Sequence, residues 1–397
     1  MIIGTPFTKS SLRVLLLGSG EIGKEIVFSL QRLGCEVTAA SSYPKAPAQQ
    51  TAQKSITADL SDPDQLLHIV HQEKPDIIIV SELGSIAYEV LSHIEKVGLS
   101  RVIPSSQALD ITTNREKMRK LAVEELGLVT SAYDFANSYD ELLEVVKNKI
   151  GYPCIIKPTT SFSGTDQTVV SSEEDLLLAW SKSQSSSSVI VESFLEVDNE
   201  ITVLTIRHQL PNGQFDVGFC DPVGQIKHNG NFHESWQPAD ISPKALERTH
   251  HFARLIVDRL GGIGLFGVEF FVRGEEVWFS EVRPSPHNSG LVTLCSQYQS
   301  EFDLHVRAAL SLPVDLQLRE PGASHAIVSP VEAEDVVYDN IYTALSYPKT
   351  NIIIFGEPRS CIGKCIGIAL ATGKNTDEAR FAAMKSAKSI EIKKSTE

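Results

Sequence analysis

A chain of 397 residues with 42% hydrophobic content exceeds the size at which one core stops growing, so two or three packed subdomains are expected. Its formal net charge of −14 argues against nucleic acid or an anionic membrane as partner, since both would be repelled, and points to small molecules. No apolar run approaches membrane-spanning length, the start MIIGTPFTKSS has no basic region followed by an apolar core, and Cys35, Cys154, Cys220, Cys295, Cys361 and Cys365 follow no disulfide or zinc spacing; a cytoplasmic protein with reduced, mostly structural thiols is expected.

Arg13 to Leu17 is a short apolar strand running into Gly18 to Gly23, GSGEIG, with a helix following through Leu33. This βα turn has the GxGxxG spacing of a dinucleotide site. The next strand, Glu36 to Ala40, ends in Ser41 and Ser42, where NAD would require an acid for its ribose hydroxyls; NAD is therefore not expected. A helix over Asp64 to Gln72, the strand Ile77 to Val80 and a helix after Ser81-Glu82-Leu83 complete a doubly wound α/β domain to about Pro104. Ligands of such sheets collect at the carboxyl ends of strands, where Glu21 and Glu82 both lie. The alternative for each is a helix-start acid favoured by the macrodipole.

Asn114 to Leu126 reads as a helix with Arg115, Glu116, Lys117, Arg119 and Lys120 on its outside. After a helix over Ser138 to Lys149, the strand Cys154 to Lys157 closes on a cation that needs a negative partner if buried. There follow a polar loop, Thr159 to Asp166, a strand over Thr168 to Val170, a helix over Glu173 to Ser181, a serine-rich connector, and the apolar strand Val189 to Glu192. Asp198 to Glu200 opens a strand-like stretch to Cys220, broken at Asn212-Gly213, and HESWQP, His233 to Pro238, precedes a helix over Pro243 to Leu260. His250 and His251 read as a solvated pair on that helix, and Trp236 and Trp278 as core.

Leu265 to Val272 and Val277 to Val282 are Val- and Phe-rich arms around the turn Arg273-Gly274. A hairpin folded about Glu275 sets Glu269 opposite Glu281 on one face. Facing like charges are destabilising unless a shared proton, an arginine or a divalent cation lies between them. A hard, oxygen-only pair suits Mg²⁺, which fills its octahedron with phosphate oxygens and water, and so implies a nucleotide. Arg283, His287, Asn288 and Ser289 follow as polar groups for substrate or phosphate, although a histidine beside proline more often packs a loop. Solvated glutamates on an amphipathic hairpin are the alternative. A helix from Gly290 through Leu310, short strands from Glu320 to about Ala371 and a last helix, Thr376 to Ile390, close the chain.

The stretches LLLGSGEIGKE, ITTNREKMRKLAVEEL, GYPCIIKP, HESWQP and LFGVEFF in this order resemble the ATP-grasp superfamily. Within it they resemble most the formate-dependent phosphoribosylglycinamide formyltransferases of purine biosynthesis, with some likeness to carboxyaminoimidazole ribonucleotide synthases. The resemblance implies a βα domain over 1–112, two ATP-grasp lobes over 113–200 and 201–315, a small β-rich C-terminal domain over 316–397, and a homodimer. It implies ATP and Mg²⁺ as cofactors, with formate as the carboxylate and formyl phosphate attacked by an amine.

By the same resemblance Arg115 and Lys157 neutralise ATP phosphates, Ser163, Gly164 and Gln167 belong to the phosphate loop, and Glu192, Ser193, Phe194 and Leu195 hold adenine. Glu200 takes the ribose, Glu269 and Glu281 the metal, and Arg283 joins Lys157 as catalytic. Glu21, Ile22, Glu82, Asn288 and Lys364 face the amine substrate. The chain departs from the family pattern at Thr165-Asp166, where that loop has Lys-Gly, at Arg283 to Asn288, and at Glu357 and Lys364-Cys365, where a Lys and an Arg-Arg pair bind a ribose phosphate. A diverged ligase with a non-phosphoribosyl acceptor, and an ATP-binding protein without turnover, are the alternatives those departures leave.

Overall fold

The computed structural model describes residues 2–84, 86–160, 167–183, 187–228 and 230–395. Near-continuous apolar runs make the first sheet: Arg13–Leu17 and Ile77–Val80 are buried along almost their whole length, as strands covered by helices on both faces must be. They pair in parallel in the order Lys54–Thr57, Glu36–Ser41, Arg13–Leu17, Ile77–Val80, Arg101–Ile103. The two edge strands are short, and their mixed composition hides them from a periodicity argument. Helices Glu21–Arg32, Pro63–Glu73 and Tyr88–Val97 flank the sheet. The second starts where Asp62 accepts from the Asp64 and Gln65 N–H groups ahead of a proline at the first helical turn.

The linking helix Arg115–Lys120 is capped by Asn114 and runs on as a π turn, Leu121–Glu125. Arg119 is not on its outside as expected: it is 4% exposed, because the helix packs that side against the next body, where a buried carboxylate receives it. That body is a four-stranded sheet in the order Tyr133–Ala136, Val189–Ser193, Cys154–Pro158, Thr168–Val170, covered by Tyr139–Val145 and Glu173–Lys182.

The third body is a nine-stranded sheet. Its path runs Glu276–Arg283, Gly264–Arg273, Asn199–Gln209, Val223–His228, Asn231–Gln237, Gly322–Val328, Cys365–Thr372, Thr350–Ile354, with Phe215–Phe219 on the flank of Asn199–Gln209. Antiparallel pairing of Glu234 to Gln237 with Gly322 to His325 carries the sheet across the expected boundary at 315/316, so the C-terminal strands extend the second lobe. Val14, Leu16 and Ile77 share a core with Phe302, Val306, Ile368 and Leu370, which fixes the first sheet against the far end of the nine-stranded one.

Gly290 to Leu310 is not one helix. A 3-10 turn Asn288–Val292, a short helix Thr293–Ser296 and a helix Glu301–Ala309 follow one another, because Ser300 and Asp303 form a reciprocal capping box that restarts the helix. His250 stacks on Phe219 at 4.4 Å between ring centroids while His251 is exposed. Trp236 and Trp278 are half-buried, each under an arginine, Arg380 at 4.0 Å and Arg273 at 5.3 Å. Among the described residues no helix is long and apolar enough to cross a membrane.

Candidate active site

The hairpin Gly264–Arg273 and Glu276–Arg283 brings Glu269 opposite Glu281. It arrives there by a different route from a fold about Glu275: Arg273 pairs with Glu276 across a two-residue turn, and a bulge between Glu269 and Phe270 moves the register by one residue. Without the bulge Glu269 would oppose Ser280, and Glu281 would point to the other face; bulges commonly re-aim side chains in this way. Glu269 is buried and Glu281 half-buried.

Two protein cations meet this pair. Arg283 donates from Nε and Nη2 to Glu281 Oε1, each at 3.2 Å. Lys227 donates from Nζ to Glu269 Oε2 at 2.7 Å and to Glu200 Oε1 at 2.5 Å. Burial alone would raise the Glu281 carboxyl, but Arg283, with Arg115, Lys227 and Lys157 further off, holds it far below the usual carboxylate range. Lys227 was not expected. Its only sequence signal is that Gln225 and Lys227 alternate on Val223–His228 and therefore point to the same face as each other; Gln225 Nε2 also donates to Glu200 Oε1 at 3.1 Å.

Lys157 finds its negative partner in Glu192, at 2.6 Å, and Arg119 reaches the same carboxylate. Burial pushes Glu192 up; Lys157 and Arg119 outweigh it and leave its carboxyl below the ordinary value. The N–H groups of Ser193 and Phe194 donate to the carbonyls of Ala132 and Pro153, so these two amides are committed within the lobe. Phe194 is exposed, Leu195 is half-buried, and Gln167 leads into the strand Thr168–Val170. Ser163 and Gly164, like Thr165 and Asp166, lie outside the described residues.

A cavity of about 430 Å³ joins the hairpin to the first sheet. Arg115, Lys227, Glu269, Glu281 and Arg283 line one end, His287 and Asn288 its flank, and Glu21, Ile22 and Glu82 the other end. Gly20 N–H donates to Glu82 Oε1 at 2.6 Å, so a protein carboxylate occupies the helix N-terminus that a pyrophosphate would use in a dinucleotide fold. Gly18, with φ +90°, permits the approach, since a Cβ there would sit 2.5 Å from Glu82 Cβ. Burial, helped by nearby Glu357 and Glu82, lifts the Glu21 carboxyl to about 7. Glu357 accepts from Lys364 at 3.0 Å and from Tyr43 at 3.4 Å, so these residues stand beside the acceptor end.

Buried His287 packs over Gly267, where a Cβ would lie 1.9 Å from the ring. Desolvation pulls its imidazole down to about 4, and neither ring nitrogen has a hydrogen-bond partner among the described residues. Asn288 Oδ1 is likewise buried without one. Such orphaned polar atoms lining a cavity require an explanation. No group of three or more His, Cys, Asp or Glu side chains among the described residues is arranged to hold a metal. The Glu269–Glu281 pair nevertheless fits Mg²⁺ held by two carboxylates with ligand oxygens completing its shell.

Comparison with known proteins covers almost the whole chain. Residues 121–302 match the ATP-grasp domain, 12–113 the ribonucleotide synthetase preATP-grasp domain, and 322–390 the family described as PurT, C-terminal. The chain is 47% identical over 394 residues to a formate-dependent phosphoribosylglycinamide formyltransferase from Paraburkholderia xenovorans, covering 98% of this chain and 97% of that one. The chain belongs to the formate-dependent phosphoribosylglycinamide formyltransferase family. A family member from Methylococcus capsulatus is 47% identical, with 98% of each chain covered. The solved structure of glycinamide-RNase-transformylase T from Mycobacterium tuberculosis superposes with a TM-score of 0.80 at 32% identity, over 96% of this chain and 100% of that one. The formyltransferase family is one of ATP-grasp enzymes, which act with ATP and Mg²⁺ on small molecules.

Proposed function

We propose that this protein formylates phosphoribosylglycinamide, using ATP to convert formate into formyl phosphate, which the glycinamide amine then attacks. The observation that carries the reading is the single cavity that has the Glu269–Glu281 pair at one end and Glu21 and Glu82 at the other. Phosphoryl transfer to a carboxylate and capture of the acyl phosphate by an amine both need charge stabilisation and close placement of reactants. A one-carbon acyl group is small enough to be formed and consumed inside that space.

Roles follow from the residues. Arg115, near Glu281 and Glu192, faces the polyphosphate. Glu269 and Glu281 would hold Mg²⁺, which when bound would supply Lewis-acid stabilisation of the charge on the transferred phosphoryl group. Arg283, held by Glu281 and lining the cavity, presents a guanidinium to the carboxylate being activated, and neutral His287 and Asn288 offer hydrogen bonds beside it. Lys157 and Glu192 organise the nucleotide lobe, with Leu195 and the carbonyls of the 193–195 segment as the polar edge for adenine, and Glu200 faces the ribose. Glu21 and Glu82 hold the amine. Glu21, near neutrality, can take the proton that the amine must lose on acylation.

A second reading, the same chemistry on a non-phosphoribosyl acceptor, is favoured by Glu357 beside the acceptor end, where among the described residues it is joined to Lys364 and Tyr43. One experiment decides: phosphate release from Mg-ATP with formate, with and without phosphoribosylglycinamide. Release that needs both establishes the first reading. ATP hydrolysis that responds to other amines but not to the glycinamide establishes the second, and ATP bound without turnover under every condition rejects both.

A further inference from the structure

Glu301 opens the helix Glu301–Ala309 and takes no part in the reading above, yet its side chain is completely buried against the loop that lines the cavity. Its Oε2 accepts from the His287 N–H at 3.2 Å. Gly290 leaves the carboxyl room, since a Cβ there would lie 2.1 Å from Oε2. Thr293 Oγ1 ties the two segments together, accepting from the Glu301 N–H at 2.9 Å and donating to the Gly290 carbonyl at 2.6 Å. The carboxyl is thus fixed by the segment whose His287, Asn288 and Ser289 line the cavity.

What it lacks is a counter-charge. No Lys or Arg of the described residues pairs with Glu301, and its Oε1 has no hydrogen-bond partner among them. A group buried on those terms keeps its proton; burial lifts the carboxyl well above its ordinary value, opposed by the single His287 N–H bond. An un-ionised carboxyl has one hydrogen to place. His287 Nδ1, buried and itself without a partner, stands 4.0 Å from Oε2. The terminal torsion of a glutamate is broad, so a small turn of the carboxyl brings the two within hydrogen-bond reach. Nδ1 then accepts, and the one hydrogen of the neutral imidazole is left on Nε2. With Nδ1 given to Glu301, Nε2 is the ring nitrogen that remains for the cavity.

We propose that Glu301 is a positioning residue: as an un-ionised acid it donates to His287 Nδ1 and holds the imidazole as the Nε2–H tautomer, a hydrogen-bond donor for the carboxylate under activation. Only that last role rests on the acyl-phosphate reading of the cavity. Two measurements on the full chain test it. Long-range ¹H–¹⁵N correlation of protein labelled with ¹⁵N-histidine, with His287 assigned from its missing signal in His287→Asn, is expected to show Nε2 protonated and Nδ1 shifted as the acceptor of a hydrogen bond. Glu301→Gln, whose amide donates in the same place, should keep that pattern and the wild-type kcat/KM for formate. Glu301→Leu should lose the Nδ1 shift and about tenfold in kcat/KM for formate, the weight of one hydrogen bond, with KM for ATP unchanged. A protonated or unbonded Nδ1 in the wild-type protein overturns the proposal, whether or not the leucine variant folds. A loss in Glu301→Gln as large as in Glu301→Leu also overturns it, because the helix start would then need an ionised carboxylate. A bonded Nε2–H ring in a protein without formate-dependent phosphate release supports the Glu301–His287 bond and overturns the proposed reaction alone.

Discussion

Replacing Glu192 by Gln removes the one anion from a buried group of three. The Arg119 side chain is 4% exposed, Glu192 5% and Lys157 12%. The amide keeps the shape but leaves two cations facing each other without a counter-charge. Breaking a buried pair in this way costs about 3–5 kcal/mol. Lys157 retains some exposure and can turn towards water, so the lower end, about 3 kcal/mol, is expected. For a unit of 150–250 residues, about 2–4 °C of Tm accompany each kcal/mol, giving a drop of about 6–12 °C. The assay is differential scanning fluorimetry of nucleotide-free protein at pH 7.5 with and without high salt. Arg119→Met in the Glu192→Gln background should recover part of the loss, because it removes one of the two stranded charges. The wild-type protein should also lose this stabilisation in acid: a carboxyl held low contributes fully above its unfolded value and loses that contribution as pH falls through the folded one. A drop below about 2 °C, or one abolished by salt, would show that the cluster is hydrated and refute the argument.

Glu269→Gln and Glu281→Gln should each abolish ATP turnover while circular dichroism stays unchanged; full phosphate release by either variant would remove the metal assignment. EDTA should stop phosphate release, with Mg²⁺ restoring it. Because Glu21 titrates near 7, kcat/KM for the amine should fall about tenfold per unit as pH drops below that value and the carboxylate becomes neutral; Glu21→Gln should lack that limb, and an unaltered profile would exclude Glu21. Gly267→Ala drives a Cβ into the His287 ring and should reduce both stability, by roughly 1–3 kcal/mol, and activity, seen in Tm and in phosphate release.

The paired glutamates were legible because a strand's two-residue period needs only spacing. The expected register holds in outcome although the turn is centred half a residue before Glu275, since nothing in the two arms announces the bulge that leaves Ser280 unpaired. Lys157 was legible as a buried cation with an unknown partner, and distance supplied Glu192. Arg119 was not, because five charged residues within the six from Arg115 to Lys120 look like a solvated face. Lys227 lies in an ordinary strand, and its meaning depends on Glu200 and Glu269, which are 27 and 42 residues away. The break in the helix after Gly290 is hidden in the sequence because the apolar spacing continues through the point where Ser300 and Asp303 cap a new start. The continuity of the large sheet was hidden for a similar reason: Glu234 to Gln237 and Gly322 to His325 are far apart in the chain and pair only in space.

That continuity has a mechanical meaning. Glu269, Glu281 and the strand Cys365–Thr372, next to Lys364, belong to one hydrogen-bonded sheet, and the first sheet is bolted to its far end by the shared core of Leu16, Phe302 and Ile368. The four-stranded lobe shares no ladder with either among the described strands and meets the hairpin through the short bridge of Thr130 with Phe279 and the neighbouring Val129–Phe279 bond. The first sheet and the nine-stranded sheet are therefore one joined body, and the four-stranded lobe is attached to it without a shared ladder among the described strands. The distance between the Glu269–Glu281 end of the cavity and its Glu21–Glu82 end is thus set within one rigidly joined body.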